Sequence, residues 1–446
     1  MEKSQIHDVI IIGGGISGTA LLYLLAQYTD INDIMLMEKY NVLANVNSHG
    51  RNNSQTLHCG DIETNYTLDK ALQVQASANM VVRYAINLKN KDDILHKYSK
   101  MVIGVGDKEV NQLRDRFTQF SPHYPEMQLL ESEDIEKIEP AVIEGRKENI
   151  VALAVLDDYT AVNFQALSQS FVEQAKEIKN KNIEVKLNTK VTKIKKYDED
   201  YIVKTSSGTH RAKFVVVSSG GHSLLFAHRM GYGLEFSCLP MAGSFYYTPD
   251  VLNGKVYTVQ NDKLPFAAIH GDPDLLVPDK TRFGPTALAL PVLERYNWKT
   301  LPEFLYIFKL DFNVIKTLWG LLRVSEIRNY LFKNMCFELP FIRRHLFLGD
   351  ARKIIPNMEL KDLTFATKTG GIRPVMIDKK SHSLHLGEAK LSPGNGLIFN
   401  MTPSPGATSC LGNAEKDLDI IVDYLGATVD KDRLNKDLKQ TKPSGQ

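Results

Sequence analysis

The sequence has little cysteine, and no two cysteines are close together. Its 446 residues contain only Cys59, Cys238, Cys336 and Cys410. The lack of a CxxC pair argues against a zinc site. Unpaired thiols are typical of a reducing compartment. We therefore predict a cytoplasmic protein that binds no metal.

The sequence also lacks a charge excess and a long apolar run. Lys and Arg number 54 against 52 Asp and Glu, a formal net charge of +2. This balance argues against nucleic acid as a partner. No apolar run reaches the ~18–20 residues that span a bilayer, and no apolar targeting segment precedes the first predicted strand. A hydrophobic content of 43% is that of a globular protein with a large core.

Residues 8–38 predict a β-α-β unit that binds a dinucleotide. The apolar run Asp8–Ile12 leads into Gly13-x-Gly15-x-x-Gly18, a helical stretch reaches Tyr28, and a second apolar run ends at Glu38. The first glycine permits the turn, the second admits a pyrophosphate and the third allows the helix to pack on the strand. Ile16 and Ser17 open the helix at its phosphate-binding end. Glu38, with Lys39 beside it, is placed to bind ribose hydroxyls.

Further turns of this kind extend towards the end of the sequence, which favours FAD over NAD. One strand leads into Ser219 and Gly220, another is predicted to begin at Val191, and residues 396–426 form a third strand-turn-helix unit. We predict an α/β fold in which a Rossmann-like FAD-binding domain is interleaved with an α+β, antiparallel-sheet substrate domain. The FAD-binding domain would comprise residues 1–80, 150–235 and 345–430. Residues 81–149 and 236–344 would form the substrate domain, and 431–446 a polar tail.

The segment 49–60 is dense in hydrogen-bonding side chains. Asn52, Asn53 and Ser54 are candidates for binding pyrophosphate or flavin edges, and His58 is a candidate general base because histidine titrates near neutral pH. Two alternatives remain open from this segment alone. His58 can be a structural loop residue, or Cys59 can be a redox group.

Two later turns carry further candidates. Arg373 lies between Gly371 and Pro374, and an arginine held in a turn suits bidentate capture of a carboxylate; a surface arginine is the alternative. Pro405, Gly406, Ala407 and Thr408 precede the last long helix. Their small size would admit a planar ring, and the helix N-terminus would stabilise negative charge on it. An ordinary capped helix start is the alternative there.

The stretch 299–344 alternates aromatic and basic residues. It holds eight basic and four acidic residues, a formal excess of +4. Such a pattern can place helices in a membrane interface. It is equally compatible with helices packed on the domain core that expose a basic face.

These motifs together resemble the malate:quinone oxidoreductase family, within the D-amino-acid-oxidase-like FAD-dependent oxidoreductases. The resemblance is carried by residues 8–18 with Glu38, by 52–58 continued in Asn65-Tyr66-Thr67, by 282–287, and by 404–407. It implies oxidation of (S)-malate to oxaloacetate, with electrons passed to a quinone at the inner face of the cytoplasmic membrane. Two alternatives stay open, an enzyme of the same fold acting on another 2-hydroxy acid (such as L-2-hydroxyglutarate) or an amino acid, and a non-catalytic flavin-binding protein.

The resemblance also implies roles for individual residues. Glu38 would contact the adenosine ribose and Val191 the adenine. Gly406, Ala407 and Thr408 would lie at the pyrimidine edge of the flavin, and His58 near its ring. Arg373 would bind one substrate carboxylate. Arg282, in the 282–287 motif, is our own candidate for the other.

Overall fold

The computed structural model describes residues 5–260, 268–385, 387–402 and 405–440. Ser404, which belongs to one of the motifs above, lies outside the described residues. So do residues 441–446 of the predicted tail.

The described residues form twenty-two strands and fourteen α-helices. The strands, numbered β1 to β22 in chain order, span Ile6–Ile12, Asp33–Met37, Leu95–Lys97, Lys100–Val105, Gln128–Leu130, Ile150–Val155, Tyr159–Val162, Asn182–Lys186, Val191–Tyr197, Asp200–Thr205, Thr209–Val217, Phe236–Ala242, Tyr246–Pro249, Lys255–Thr258, His270–Pro273, Lys280–Gly284, Leu288–Ala289, Thr364–Phe365, Ile372–Asp378, Ser383–His385, Ala389–Leu391 and Leu397–Met401. The helices, numbered α1 to α14, span Ile16–Tyr28, Leu68–Ile86, Lys91–Ile94, Asp107–Phe120, Ser132–Ile138, Pro140–Ile143, Phe164–Lys176, His222–Arg229, Leu301–Phe308, Phe312–Arg323, Ser325–Cys336, Arg343–Ala351, Cys410–Leu425 and Lys431–Leu438.

The first unit is built on a sheet whose central strands are parallel, in the order β22-β11-β1-β2-β8. Strand β1 is apolar on both faces because both are covered. Val9 and Ile11 pack against α1, α7 and α13, whereas Ile10 and Ile12 pack against the β9–β10 hairpin and α8. Burial on both faces is the usual condition of a parallel strand.

The second unit contains two sheets. One has eight strands in the order β18-β13-β16-β15-β14-β4-β6-β5, antiparallel except where β14 meets β4. The other has four, in the order β17-β12-β19-β20. The predicted combination of a Rossmann-like unit with an antiparallel-sheet unit is confirmed. No helix among the described residues is both long and apolar enough to cross a membrane.

The predicted domain boundaries differ from the structure at several points. Strand β6 begins at Ile150, where we placed the return to the FAD-binding domain, but pairs with β4 and β5 in the second unit. Residues 345–385, which we placed in the FAD-binding domain, also belong to the second unit. Helix α12 and the segment after it pack in the core of that unit, and residues 364–385 form β18, β19 and β20. Residues 431–438 form α14 rather than a loose polar tail, because Leu434 and Leu438 are buried against the first unit.

Candidate active site

A cavity of about 1280 Å³ is lined by residues of both units. Most of the residues predicted from the sequence meet at its wall, and these are Gly13, Gly15, Ile16, Ser17, Glu38, Lys39, Asn52, Asn53, Ser54, His58, Val191, Ser219, Gly220, Arg373, Pro405, Gly406, Ala407 and Thr408. Gly18 and Arg282 do not belong to the wall. Segments far apart in sequence therefore converge on one site.

The glycine turn after β1 is shaped for close approach of a phosphate. Gly13 has a φ of +115°, and a Cβ there would collide with the carbonyl of Ser218. A Cβ at Gly18 would collide with the carbonyl of Gly13, so Gly18 lets α1 pack against the turn rather than touching a ligand. The helix follows at Ile16, with Gly15 at the cap position. Gly15 has no side chain to cap the helix, and the Ile16 amide donates to Ser48 Oγ at 3.0 Å. Exposed backbone N–H groups at a helix N-terminus bind phosphate.

Glu38 lies at the end of β2 beside this turn. Its Oε2 accepts a hydrogen bond from the Gly14 amide at 2.8 Å, and its Oε1 accepts one from the Tyr40 amide at 2.9 Å. Each oxygen keeps a lone pair for a ribose hydroxyl. Burial raises the pKa of Glu38, although these hydrogen bonds oppose the shift. Lys39 lines the cavity, but its ammonium group is paired with Glu294.

The loop that carries Asn52 and Asn53 is held by its own side chains. Asn52 Nδ2 donates to the Val46 carbonyl at 2.8 Å, and Asn53 Nδ2 donates to the carbonyls of Asn47 and His49 at 3.0 Å. These two amides therefore brace the loop. Both residues also line the cavity, and their contact with the cofactor stays a prediction. The loop is tied to β19 because Asn47 exchanges hydrogen bonds with the backbone of Ile372.

His58 forms a pair with Glu63 at the cavity wall. The distance from His58 Nδ1 to Glu63 Oε1 is 2.7 Å. Burial alone would raise the pKa of Glu63, but the hydrogen bond and charge of His58 lower that pKa to about 2. Glu63 is therefore ionised and fixes a proton on Nδ1, which leaves Nε2 as the basic nitrogen. The amide of His58 donates to Thr408 Oγ at 3.1 Å, so the predicted base adjoins the predicted flavin segment.

Two buried cations that the sequence analysis missed hold this segment in place. Arg116 donates to the carbonyl of Glu63 at 2.8 Å and to that of Tyr66 at 3.1 Å. Lys100 is fully buried and paired with Asp61 at 2.8 Å. Burial strongly raises the pKa of the Cys59 thiol, which argues against Cys59 as a redox group because the reactive form is the thiolate.

Arg373 lies on β19 and lines the cavity. Burial lowers the pKa of Arg373, and its electrostatic neighbours are the hydroxyl groups of Tyr66 and Tyr330. Within the described ranges no carboxylate is ion-paired with its guanidinium. The side chain is partly buried and faces the cavity. The role of Arg373 as a carboxylate ligand stays a prediction, and its unpaired guanidinium on the cavity wall is compatible with that role.

The structure does not support Arg282 as the second carboxylate ligand. Its side chain is 0% exposed and does not reach the cavity. It donates to the carbonyls of Gly50 at 3.1 Å and Asn53 at 2.9 Å, and it is paired with Asp274 at 3.4 Å. Strand β16 directs this arginine beneath the 50–53 loop, so it supports the loop and not the substrate.

A second histidine–carboxylate pair at the cavity was also missed. His270 Nδ1 lies 2.5 Å from Asp272 Oδ2, and the ring of His270 stacks on Tyr257 with centroids 4.5 Å apart. Burial lowers the pKa of His270, although Asp272 opposes the shift. The spacing i, i+2 places both residues on one face of a strand, and this was the available signal.

Solved structures share this fold. L-α-Glycerophosphate oxidase from Mycoplasma pneumoniae, solved with FAD bound, is similar with a TM-score of 0.64 and 18% identity over 95% of this chain and 96% of that chain. Glycine oxidase from Geobacillus kaustophilus has a TM-score of 0.64 and 16% identity, covering 94% and 95% of the two chains. The chain therefore has the fold of these two oxidases.

Sequence comparison narrows this class to one family. The malate:quinone oxidoreductase (Mqo) family model matches residues 5–283. A probable malate:quinone oxidoreductase from Campylobacter jejuni is 48% identical over 98% of this chain and 100% of that protein. The malate:quinone oxidoreductase of Helicobacter pylori strain 26695 is 46% identical over 98% of both. The chain therefore belongs to the malate:quinone oxidoreductase family, and the resemblance predicted from the motifs is confirmed.

Proposed function

We propose that this protein oxidises (S)-malate to oxaloacetate, with FAD as its cofactor, and passes the electrons to a quinone. Membership of the family supports the reaction. The main support for where the reaction occurs is one cavity wall that carries both Arg373 and the His58–Glu63 pair. Arg373 is partly buried there, and no carboxylate of the described residues forms an ion pair with it.

The residues of the first unit fit FAD. The Gly13–Ser17 turn would hold the pyrophosphate, Glu38 the adenosine ribose, and the segment around Val191 the adenine. Gly406, Ala407 and Thr408 would border the pyrimidine edge of the flavin, next to His58. When bound, FAD supplies the hydride acceptor of the reaction.

The protein orients malate and takes up one proton. Arg373 binds a carboxylate of malate through its planar fork. Oxidation at C2 releases a hydride from carbon and a proton from the hydroxyl group. His58 Nε2 accepts that proton, and Glu63 stabilises the resulting imidazolium because its carboxylate lies 2.7 Å from Nδ1.

Anaerobic flavin bleaching tests this function. We expect (S)-malate to bleach the purified yellow protein, whereas L-2-hydroxyglutarate, glycine and L-proline leave it oxidised. A soluble quinone should then restore the colour faster than air does. If another acid bleached the flavin faster than malate, the substrate assignment would be wrong. If none bleached it, the protein would be a non-catalytic flavin binder.

Helices α9–α12, residues 301–351, present an apolar surface that we propose docks on an anionic lipid surface, the inner face of the cytoplasmic membrane. The apolar side chains exposed on this docking surface include Leu310, Phe312, Ile315, Trp319, Phe332 and Phe341. Exposed lysines and arginines lie among them, at positions 309, 316, 323 and 328. Large apolar side chains exposed in this number within one segment indicate an interaction site, and the basic residues among them complement anionic lipid headgroups.

Replacing Trp319 and Phe341 together by serine is expected to weaken binding to phosphatidylglycerol-containing vesicles at least about tenfold, since each aromatic group loses apolar burial. Trp319 is 59% and Phe341 91% exposed, so neither supports the core. Vesicle co-sedimentation measures the effect. Tyr197→Ser, at an exposed tyrosine of β9, is the matched control. Unchanged vesicle binding by the double variant would exclude this surface.

A further inference from the structure

One part of the cavity wall comes from the helices of the docking surface. Leu321, in the last turn of α10, and Ile327, in the first turn of α11, both line the cavity. The β19–β20 hairpin contacts α10 through its turn, where His382 Nδ1 lies 3.4 Å from Thr317 Oγ1. Ser383 and Leu384, the first two residues of β20, line the same cavity. Because Ser383 is exposed, the cavity reaches the protein surface between these helices and the hairpin.

Apolar side chains lie on both sides of this opening, on the docking surface and on the cavity wall. Trp319 and Leu322 are exposed on one face of α10 because residues three apart in a helix are neighbours. Leu321 lies beside Leu322 in the same turn and lines the cavity, so this turn carries apolar side chains both on the docking surface and at the cavity wall. Leu321, Ile327 and Leu384 continue that surface inward. Tyr330 follows Ile327 by one turn of α11 and interacts electrostatically with Arg373. The opening therefore leads towards the substrate-binding arginine.

Another exposed part of the cavity wall is polar. At the nucleotide end, near Val191, the exposed lining residues are Lys190, Thr192 and Arg229. Water-soluble molecules suit that polar end. A long apolar chain suits only a wall of aliphatic side chains, because every methylene group removed from water contributes favourably to binding.

We propose that the quinone enters between α10–α11 and the β19–β20 hairpin, with its isoprenoid tail lying on Leu321, Ile327 and Leu384. This inference rests on the proposed function, which supplies the quinone, and adds the residues that form its passage. It also explains why the docking surface lies where it does. A quinone dissolved in the membrane would pass from lipid to cavity along a wall that remains apolar.

Leu321→Trp tests the passage by filling it. Purified holoenzyme in detergent is reduced with malate under anaerobic conditions, and its reoxidation is followed by stopped flow. Because the enzyme is in detergent, membrane binding does not affect the measured rates. We expect reoxidation by a decyl-tailed benzoquinone to slow about tenfold, since excluding even two methylene groups from apolar contact is worth about that factor. Reoxidation by ferricyanide, and bleaching by malate, should stay within about twofold of the wild-type rates.

Controls separate this inference from the proposed function. Leu234→Trp makes the same change at an exposed leucine outside the cavity wall and should leave all three rates unchanged. If Leu321→Trp did not retain flavin, Ser383→Trp would test the opening at an exposed position. Normal rates with the tailed quinone in both variants would overturn the passage. Failure of malate to bleach the wild-type protein would instead overturn the proposed function.

Discussion

Replacing His58 by asparagine is expected to leave the flavin bound and to slow its reduction by malate by a factor on the order of 100 or more, the usual contribution of a general base. Asparagine has a similar size and preserves a polar contact to Glu63, but it cannot accept the hydroxyl proton. Anaerobic stopped-flow bleaching measures the rate, and the visible spectrum measures flavin content. The apparent affinity for malate should change little, because Arg373 rather than His58 binds the carboxylate.

Two further variants are needed to interpret the rate of the His58→Asn variant. Glu63→Gln removes the charge that holds the imidazole, so it should slow reduction by a smaller factor, about tenfold, and acts by positioning. His7→Asn breaks a His–Asp pair of the same 2.7 Å length, between His7 and Asp33, outside the cavity. That control should leave reduction unchanged. An unaffected His58→Asn rate would transfer the role of base to His270 and its partner Asp272.

Local signals made the nucleotide-binding unit predictable from sequence. The predicted helix from Ile16 to Tyr28 has the observed bounds, and the first two strands agree within a few residues. Here the chain folds on itself over a short distance, and the glycine spacing is a direct requirement of the phosphate turn. The convergence of His58, Thr408 and Arg373 on one cavity followed from the resemblance, because no local pattern joins segments hundreds of residues apart.

The sequence did not predict which strands pair with each other or where several side chains point. Strand β6 is as apolar as a central parallel strand, and only its neighbours β4 and β5 reveal that it belongs to the second unit. Arg282 lies in a motif of the family, but strand alternation and burial decide that it faces the 50–53 loop. The partners Arg116 and Lys100 are distant in sequence from the loop that they hold, so composition gave no sign of them.

Replacing Arg373 by alanine is expected to raise the KM for malate by a factor on the order of 100, because the loss of one buried ion pair with a ligand costs at least ~2 kcal/mol. The flavin content should be unchanged. Arg373→Lys keeps the charge but loses the planar fork, so its KM should lie between those of the wild type and the alanine variant. Steady-state kinetics with a soluble acceptor measure both values.

Arg229 provides a matched control for the Arg373→Ala variant. Arg229→Ala removes an exposed arginine from the nucleotide end of the same cavity. It therefore tests whether any positive charge on the cavity wall is enough to bind malate. The KM of this variant for malate should stay within about twofold of the wild-type value. A near-normal KM for Arg373→Ala would remove Arg373 from the substrate site. Because β19 belongs to the second unit and the glycine turn to the first, a raised KM with full flavin content would locate malate binding where the two units meet.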